Sequence, residues 1–313
     1  MLASFRVYCG AVGRAIRRGP VRCGFMKHWD TVAVVGVGLI GGSIGLDLLR
    51  GGLAQRVIGI GRRPASLKVA RERGCVSETT TNLEQGVAEA DLVIVCTPVG
   101  RVLTDVLTAA PACMPGALIT DVGSTKQSIV AGARGKLPIG VTFVGSHPIA
   151  GSEKSGAAAA LEGLFVKRTA VVTPTDDTPE KAIRTIERFW KSLGSRVVRM
   201  TPEAHDEALA ATSHVPHVVA AALAGATPAE ILGLTAGGWL DSTRIAAADS
   251  QLWLEILTDN RRQVVAGLKK VESRLAAFRK ALDAGDNGAL QTLLDEGRAR
   301  REAARGKPRA PVK

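Results

Sequence analysis

The chain has 313 residues, 46% of them hydrophobic and 22% charged, a composition that suits one large globular domain or two ordinary ones. Its net charge of +12 is concentrated at the ends: residues 1–29 hold Arg6, Arg14, Arg17, Arg18, Arg22 and Lys27 without an acid, and residues 298–313 hold seven basic groups and Glu302. The body between is balanced, which argues against a nucleic-acid partner, and no apolar run reaches the roughly 18 residues of a membrane span, so no membrane helix is expected.

Residues 1–29 superficially resemble a transit peptide, but the simpler reading is a disordered basic extension, with Met26 as an alternative start. The five cysteines, Cys9, Cys23, Cys75, Cys96 and Cys113, are odd in number and lack metal-ligand spacing. They read as free thiols in a reducing, cytoplasmic compartment.

Residues 32–35 are four apolar residues of a buried strand, and Gly36, Gly38 and Gly41 then fit G-x-G-x-x-G. Leu39 and Ile40 open an apolar helix. A strand, this glycine spacing and a helix form a dinucleotide-binding unit, in which the helix N-terminus faces the pyrophosphate. A second strand covers 57–60. An acid for the ribose 2′-hydroxyl is expected about 20 residues past the last glycine. The count lands on Gly61, followed by Arg62 and Arg63, two guanidiniums suited to a 2′-phosphate. The alternative is NAD with solvated arginines, so the cofactor is NAD or NADP.

A helix is expected over 64–73 and a strand over 91–98, whose end carries Thr97 and Pro98. A helix over 100–110, a strand over 117–122, G-S-T-K at 123–126, a helix and a strand over 141–144 follow. Two more strands, 169–173 and 195–200, flank a helix over 179–193. This alternation predicts an α/β domain with a parallel sheet covered on both faces and ligands at the strands' carboxyl ends. Thr97, Ser124 and His147 all belong to such ends. From Pro202 only helical periodicity remains: 203–225, 227–236, 249–282 with an interruption at Gly267, and 287–303. The expected division is a Rossmann-type domain over 30–202, an all-helical domain over 203–304 and a disordered tail over 305–313.

Histidine occurs at 28, 147, 205, 214 and 217 only. On an ideal helix Asp206, Ser213 and His217 fall within about 20° of one line, a polar stripe that faces either a ligand cleft or solvent. Pro216 removes a helical donor and predicts a kink. His214 and His217 have a spacing open to a metal, but no matching carboxylate motif accompanies them, so no metal is expected. His147, in G-S-H-P just after a strand end, is the candidate general base beside a nicotinamide, with Ser124 to orient it or a substrate alcohol. Arg244, among apolar residues after Gly237-Gly238, is a candidate carboxylate clamp or one half of an ion pair with Asp206 or Asp241.

Together the stretches G-V-G-L-I-G-G-S (36–43), D-V-G-S-T-K (121–126), S-H-P-I-A-G-S-E-K-S-G (146–156), H-D-E-A-L-A-A-T-S-H-V-P-H (205–217) and D-S-T-R-I-A (241–246) resemble the prephenate/arogenate dehydrogenase family of tyrosine biosynthesis. The resemblance spans about 31–280. It implies a Rossmann-type domain followed by a helical domain that forms a homodimer, and oxidative decarboxylation of a small-molecule substrate, prephenate or arogenate. It makes His147 the catalytic histidine, Ser124 the serine that bonds it and the substrate hydroxyl, and Arg244 the carboxylate-binding residue. It also implies that Ser213, His217, Ser152 and Glu153 line the substrate pocket, Glu153 as a gate, and that Asp206 steadies it. The chain departs from the common pattern at Gly61, and no fused mutase or regulatory domain is expected to bring tyrosine feedback. Two rivals are weaker. A β-hydroxyacid dehydrogenase would need a lysine that 203–225 lacks, and a non-enzymatic NADP sensor would not need His147, Ser124 and Arg244 together.

Overall fold

A computed structural model of the chain describes residues 29–151 and 154–305. The expected basic extension, apart from Trp29, the tail beyond Arg305, and Ser152 and Glu153 lie outside the described residues. Eight strands form one sheet: β1 Trp29–Val35, β2 Ala54–Ile60, β3 Glu78–Thr80, β4 Leu92–Val95, β5 Leu118–Asp121, β6 Thr142–Pro148, β7 Thr169–Thr173 and β8 Arg196–Arg199. Their order is β3-β2-β1-β4-β5-β6-β7-β8, and every pair is parallel except β6 and β7.

Strand alternation divides the core between two faces. Val32 and Val34 pack with Ile44, Leu48, Phe189 and Trp190 on one face. Ala33 and Val35 pack with Val102, Val106 and Ile119 on the other. The helices α1 Leu39–Arg50, α2 Pro64–Glu72 and α6 Glu180–Ser192, and on the opposite side α3 Leu83–Val87, α4 Val99–Ala109 and α5 Gln127–Ala133, supply these layers. Two details differ from expectation. β1 begins at Trp29, whose N–H donates to Leu53 O at 2.9 Å, so this residue belongs to the sheet and not to a disordered extension. β3 and α3 were not expected: β3 is Glu-Thr-Thr, an edge strand without an apolar run to announce it.

After β8 the chain is helical. α7 Pro202–Leu209, a π turn over Ala210–His214 and α8 Val215–Ala226 form one continuous rod. The π turn stands immediately before Pro216, where the wider turn accommodates the missing donor. α9 Gly237–Thr243, α10 Ser250–Asp259, α11 Arg261–Asp283 and α12 Asn287–Arg305 complete the chain. The long helix breaks at Asn260 and not at Gly267. Gly267 lies inside α11, where a Cβ would come within 2.7 Å of Val215 Cγ2, so its role is close packing of α11 on α8. The rod Pro202–Ala226, with mean hydropathy 1.3, is long and apolar enough to cross a membrane, contrary to the expectation from apolar runs. It nevertheless carries His205, Asp206 and His214, all buried and all hydrogen-bonded inside the fold.

Candidate active site

The glycine loop is shaped for a dinucleotide. Gly36 has φ +91°, and a Cβ there would meet Cys96 O at 2.9 Å. A Cβ on Gly41 would meet Gly36 O at 2.4 Å, so α1 can pack this closely only without one. At Gly38, by contrast, nothing lies within 4 Å of the missing Cβ, which leaves the approach to the α1 N-terminus open to a phosphate. Leu39 is buried and Ile40 half-buried behind this loop. Thr97 follows β4, and its hydroxyl is buried without a hydrogen-bond partner. Pro98 leads into α4, and Glu255 of α10 accepts the N–H of Gly100 at 3.1 Å. The helical part therefore touches this side of the cofactor cleft. Open space at Gly38 and an unpartnered hydroxyl at Thr97 both fit a bound dinucleotide. Arg62 and Arg63, at the end of β2, are exposed, and neither side chain forms a hydrogen bond or ion pair among the described residues.

β6 carries His147. Its first half pairs parallel with β5, and beyond the end of β5 its second half, Gly145 to Pro148, pairs antiparallel with β7. His147 therefore sits inside the strand and not after its end, because β7 extends the pairing past the parallel sheet. The residue before it is locked. Ser146 Oγ donates to Asp121 O at 2.7 Å and accepts from Trp190 Nε1 at 2.9 Å, and Ser146 N–H donates to Asp121 Oδ1 at 3.1 Å.

His147 Nδ1 is 2.9 Å from His205 Nε2, and His205 Nδ1 is 2.8 Å from Asp206 Oδ1. Asp206 also accepts the N–H groups of Lys126 and Gln127, at 2.8 and 2.9 Å, and Asn260 Nδ2 donates to its carbonyl at 2.8 Å. Asp206, expected among the substrate-binding residues, is thus only 2% exposed, with its carboxylate engaged by the loop after β5 and by His205. Burial, then the neighbouring His205, Lys126 and His214, hold His147 well below the ordinary imidazole range. Burial, then Lys126 and His214, push His205 down to about 2. Burial, assisted by His217 and opposed by Asp206, brings His214 to about 4. At neutral pH all three rings are neutral.

Ser124 is half-buried in the loop after β5 and makes no hydrogen bond with His147; the ring is held by His205 instead. Ser213 is half-buried in the π turn. His217 is 6% exposed, lies flat on Trp253 with centroids 3.5 Å apart and planes within 8°, and has a buried Nδ1 without a hydrogen-bond partner. Arg244 is exposed in the turn after α9 and pairs with neither Asp206 nor Asp241. Among the described residues no group of three or more His, Cys, Asp or Glu is placed to hold a metal. Sequence reasoning passed over His205, Lys126, Asn260 and Trp253. The one available signal was the His205-Asp206 pair beside a buried helix face.

Two family models match the chain: prephenate dehydrogenase, nucleotide-binding domain, over residues 44–199, and prephenate dehydrogenase, dimerization domain, over 201–296. A prephenate dehydrogenase of Bacillus subtilis is 37% identical over 75% of this chain and 66% of its own, so the chain spans about two thirds of that relative's length. The crystal structure of the Aquifex aeolicus prephenate dehydrogenase with hydroxyphenyl propionate and NAD+ is 31% identical, with a TM-score of 0.82 over 88% of this chain and 98% of that one. A Synechocystis arogenate dehydrogenase structure is 30% identical, with a TM-score of 0.76 over 88% and 99%.

Proposed function

Because this chain belongs to the prephenate dehydrogenase family, we propose that it converts prephenate to 4-hydroxyphenylpyruvate by oxidative decarboxylation with reduction of NAD(P)+, a step of tyrosine biosynthesis. It is an oxidoreductase with a Rossmann-type domain followed by a helical domain, and we assign these to residues 30–202 and 203–304. The observation that carries the reaction is the state of His147. Its Nδ1 lies 2.9 Å from His205 Nε2 and its ring is neutral, so with the hydrogen on Nδ1 the Nε2 atom can accept a proton.

Prephenate carries a hydroxyl opposite a carboxylate on one ring. A bound nicotinamide would supply the hydride acceptor for the hydroxyl-bearing carbon. His147 Nε2 takes the hydroxyl proton, and Ser124 fixes the hydroxyl that it approaches. Arg244 holds the ring carboxylate, which departs as CO₂ as the ring becomes aromatic. Its freedom from ion pairs among the described residues leaves its guanidinium donors available. Ser213 and His217 line the substrate pocket. Gly36, Gly38, Leu39, Ile40, Gly41, Thr97 and Pro98 hold the dinucleotide. Arg62 and Arg63 receive a 2′-phosphate where the cofactor carries one. Much of the work is orientation, because aromatisation makes the step irreversible.

Leu234, Leu275 and Leu282 of the helical part expose apolar surface, at 84%, 62% and 63%. These residues fit a homodimer face. The free thiols Cys75, Cys96 and Cys113 fit a cytoplasmic enzyme. Arogenate, which differs by an amino group in place of the keto group, is the second reading, favoured by the likeness to the Synechocystis structure. An assay of both substrates with both cofactors tests the proposal. Prephenate-dependent NAD(P)H formation with equimolar CO₂ is expected. Reduction with arogenate alone would transfer the assignment to the second reading, and reduction with neither would remove both.

A further inference from the structure

We propose that His205 and Asp206 are positioning residues that fix the tautomer of His147, and so determine which of its two nitrogens can accept a proton. The inference rests on His147 as the base, and it adds how a neutral imidazole is made to present the right atom.

The argument is one of donor and acceptor counting. An ionised carboxylate only accepts hydrogen bonds. The Asp206 carboxylate receives the N–H groups of Lys126 and Gln127 at 2.8 and 2.9 Å, both backbone donors that cannot be reversed. Burial raises the Asp206 carboxyl above its ordinary range, and these two bonds, with Lys126 and His214, work against that rise in favour of the ionised form. His205 Nδ1, 2.8 Å from Asp206 Oδ1, must then carry a hydrogen. A neutral ring that is protonated at Nδ1 is bare at Nε2. That bare nitrogen is 2.9 Å from His147 Nδ1, which must therefore be the donor. His147 in turn is left bare at Nε2. Three residues thus transmit the sign of a backbone contact to the reacting atom.

The surroundings keep the relay neutral. The groups around the two rings are the Lys126 ammonium, the His214 imidazole and the Asp206 carboxylate, with Asp121 paired to Lys126. A proton added to either ring would stand near the charge of the fully buried Lys126, and burial lowers both rings. His214 provides a contrast within the same cluster. Asn260 Nδ2 donates to its Nδ1 at 3.1 Å, so this third neutral ring carries its hydrogen on Nε2.

The test reads tautomers directly. The full chain has five histidines, so long-range proton–nitrogen spectra of ¹⁵N-histidine-labelled protein at neutral pH can resolve them. The expected result is Nδ1–H on His147 and His205 and Nε2–H on His214. In Asp206→Asn the amide nitrogen can face His205 as a donor, which reverses both tautomers and blocks His147 Nε2. Turnover should fall about 10²- to 10⁴-fold, as for other histidines left in the wrong tautomer, while both KM values stay within about threefold. An Nε2–H tautomer on His147 in the unaltered protein would overturn the proposal, and needs no variant to fold. Normal turnover by His147→Asn would instead remove the base assignment and leave the tautomer result standing.

Discussion

Lys126 and Asp121 form an ion pair from which solvent is entirely excluded, each side chain being 0% exposed. Asp121 also binds the N–H groups of Gly123 and Ser146, so the pair joins the loop after β5 to the residue beside His147. Removing one member leaves a buried charge without its partner. Lys126→Met should therefore cost about 3–5 kcal/mol in urea unfolding. A loss below about 1 kcal/mol would mean that water reaches the site and the pair is unimportant.

Acid should weaken the fold before it disables the base. Burial holds His205 at about 2 and His214 at about 4, both below the imidazole value of 6.5. The unfolded chain takes up these protons as pH falls through 6.5, and the folded chain does not. Stability is then fully present above 6.5 and declines on acidification, down to about 4 for His214 and further for His205. The slope should be about 1 kcal/mol per pH unit for each ring. Urea midpoints between pH 7 and 5 measure it, and His214→Gln should make the slope shallower. Midpoints that do not move with pH would mean that these rings are hydrated.

At the end of β2, the Arg62 and Arg63 side chains have no partner among the described residues, and no carboxylate follows Gly41 at the usual spacing. Changing both to Ala should weaken NADP binding about tenfold or more, through lost charge-assisted bonds, and leave NAD binding nearly unchanged. Titration of tryptophan fluorescence with each dinucleotide separates the two. Equal losses would return the arginines to solvent.

Arg244 was read from the sequence as either a clamp or an internal ion pair, and the pairing with Asp206 or Asp241 does not form. Its removal should therefore leave Tm nearly constant. Arg244→Lys keeps the charge without the two-pronged geometry and should raise the KM for prephenate, and Arg244→Ala should lower kcat/KM by roughly 10²-fold or more. An unaltered KM accompanied by a large fall in Tm would make Arg244 structural.

What the sequence made legible followed local chemistry. G-V-G-L-I-G-G-S announces its strand, turn and helix, and the strand ends at Thr97 and Ser124 follow from apolar runs that stop. His147 was identified, but its place inside β6 was not. That depends on pairing with β7, where His147 stands opposite Val171, 24 residues further along the chain, which no local pattern encodes. His205 was overlooked for a similar reason. Its partner His147 is 58 residues distant, and a histidine on a helix looks the same whether it faces solvent or another ring. The polar stripe of Asp206, Ser213 and His217 assumed an ideal helix, and the π turn over Ala210–His214 interrupts that spacing. Asn260 ends α10 because its side chain is engaged by Asp206 and His214, a tertiary cause that drew the expected break to Gly267 instead.

The most direct measurement of the whole account is the steady-state turnover of His147→Asn with prephenate. Asparagine keeps a polar group of similar reach at His147 but has no imidazole nitrogen to take the hydroxyl proton. The account predicts a kcat reduced by roughly 10²–10⁴, with dinucleotide affinity and Tm unchanged, which is the usual worth of a general base. A variant that folds, binds its cofactor and turns over prephenate at nearly the original rate would contradict it.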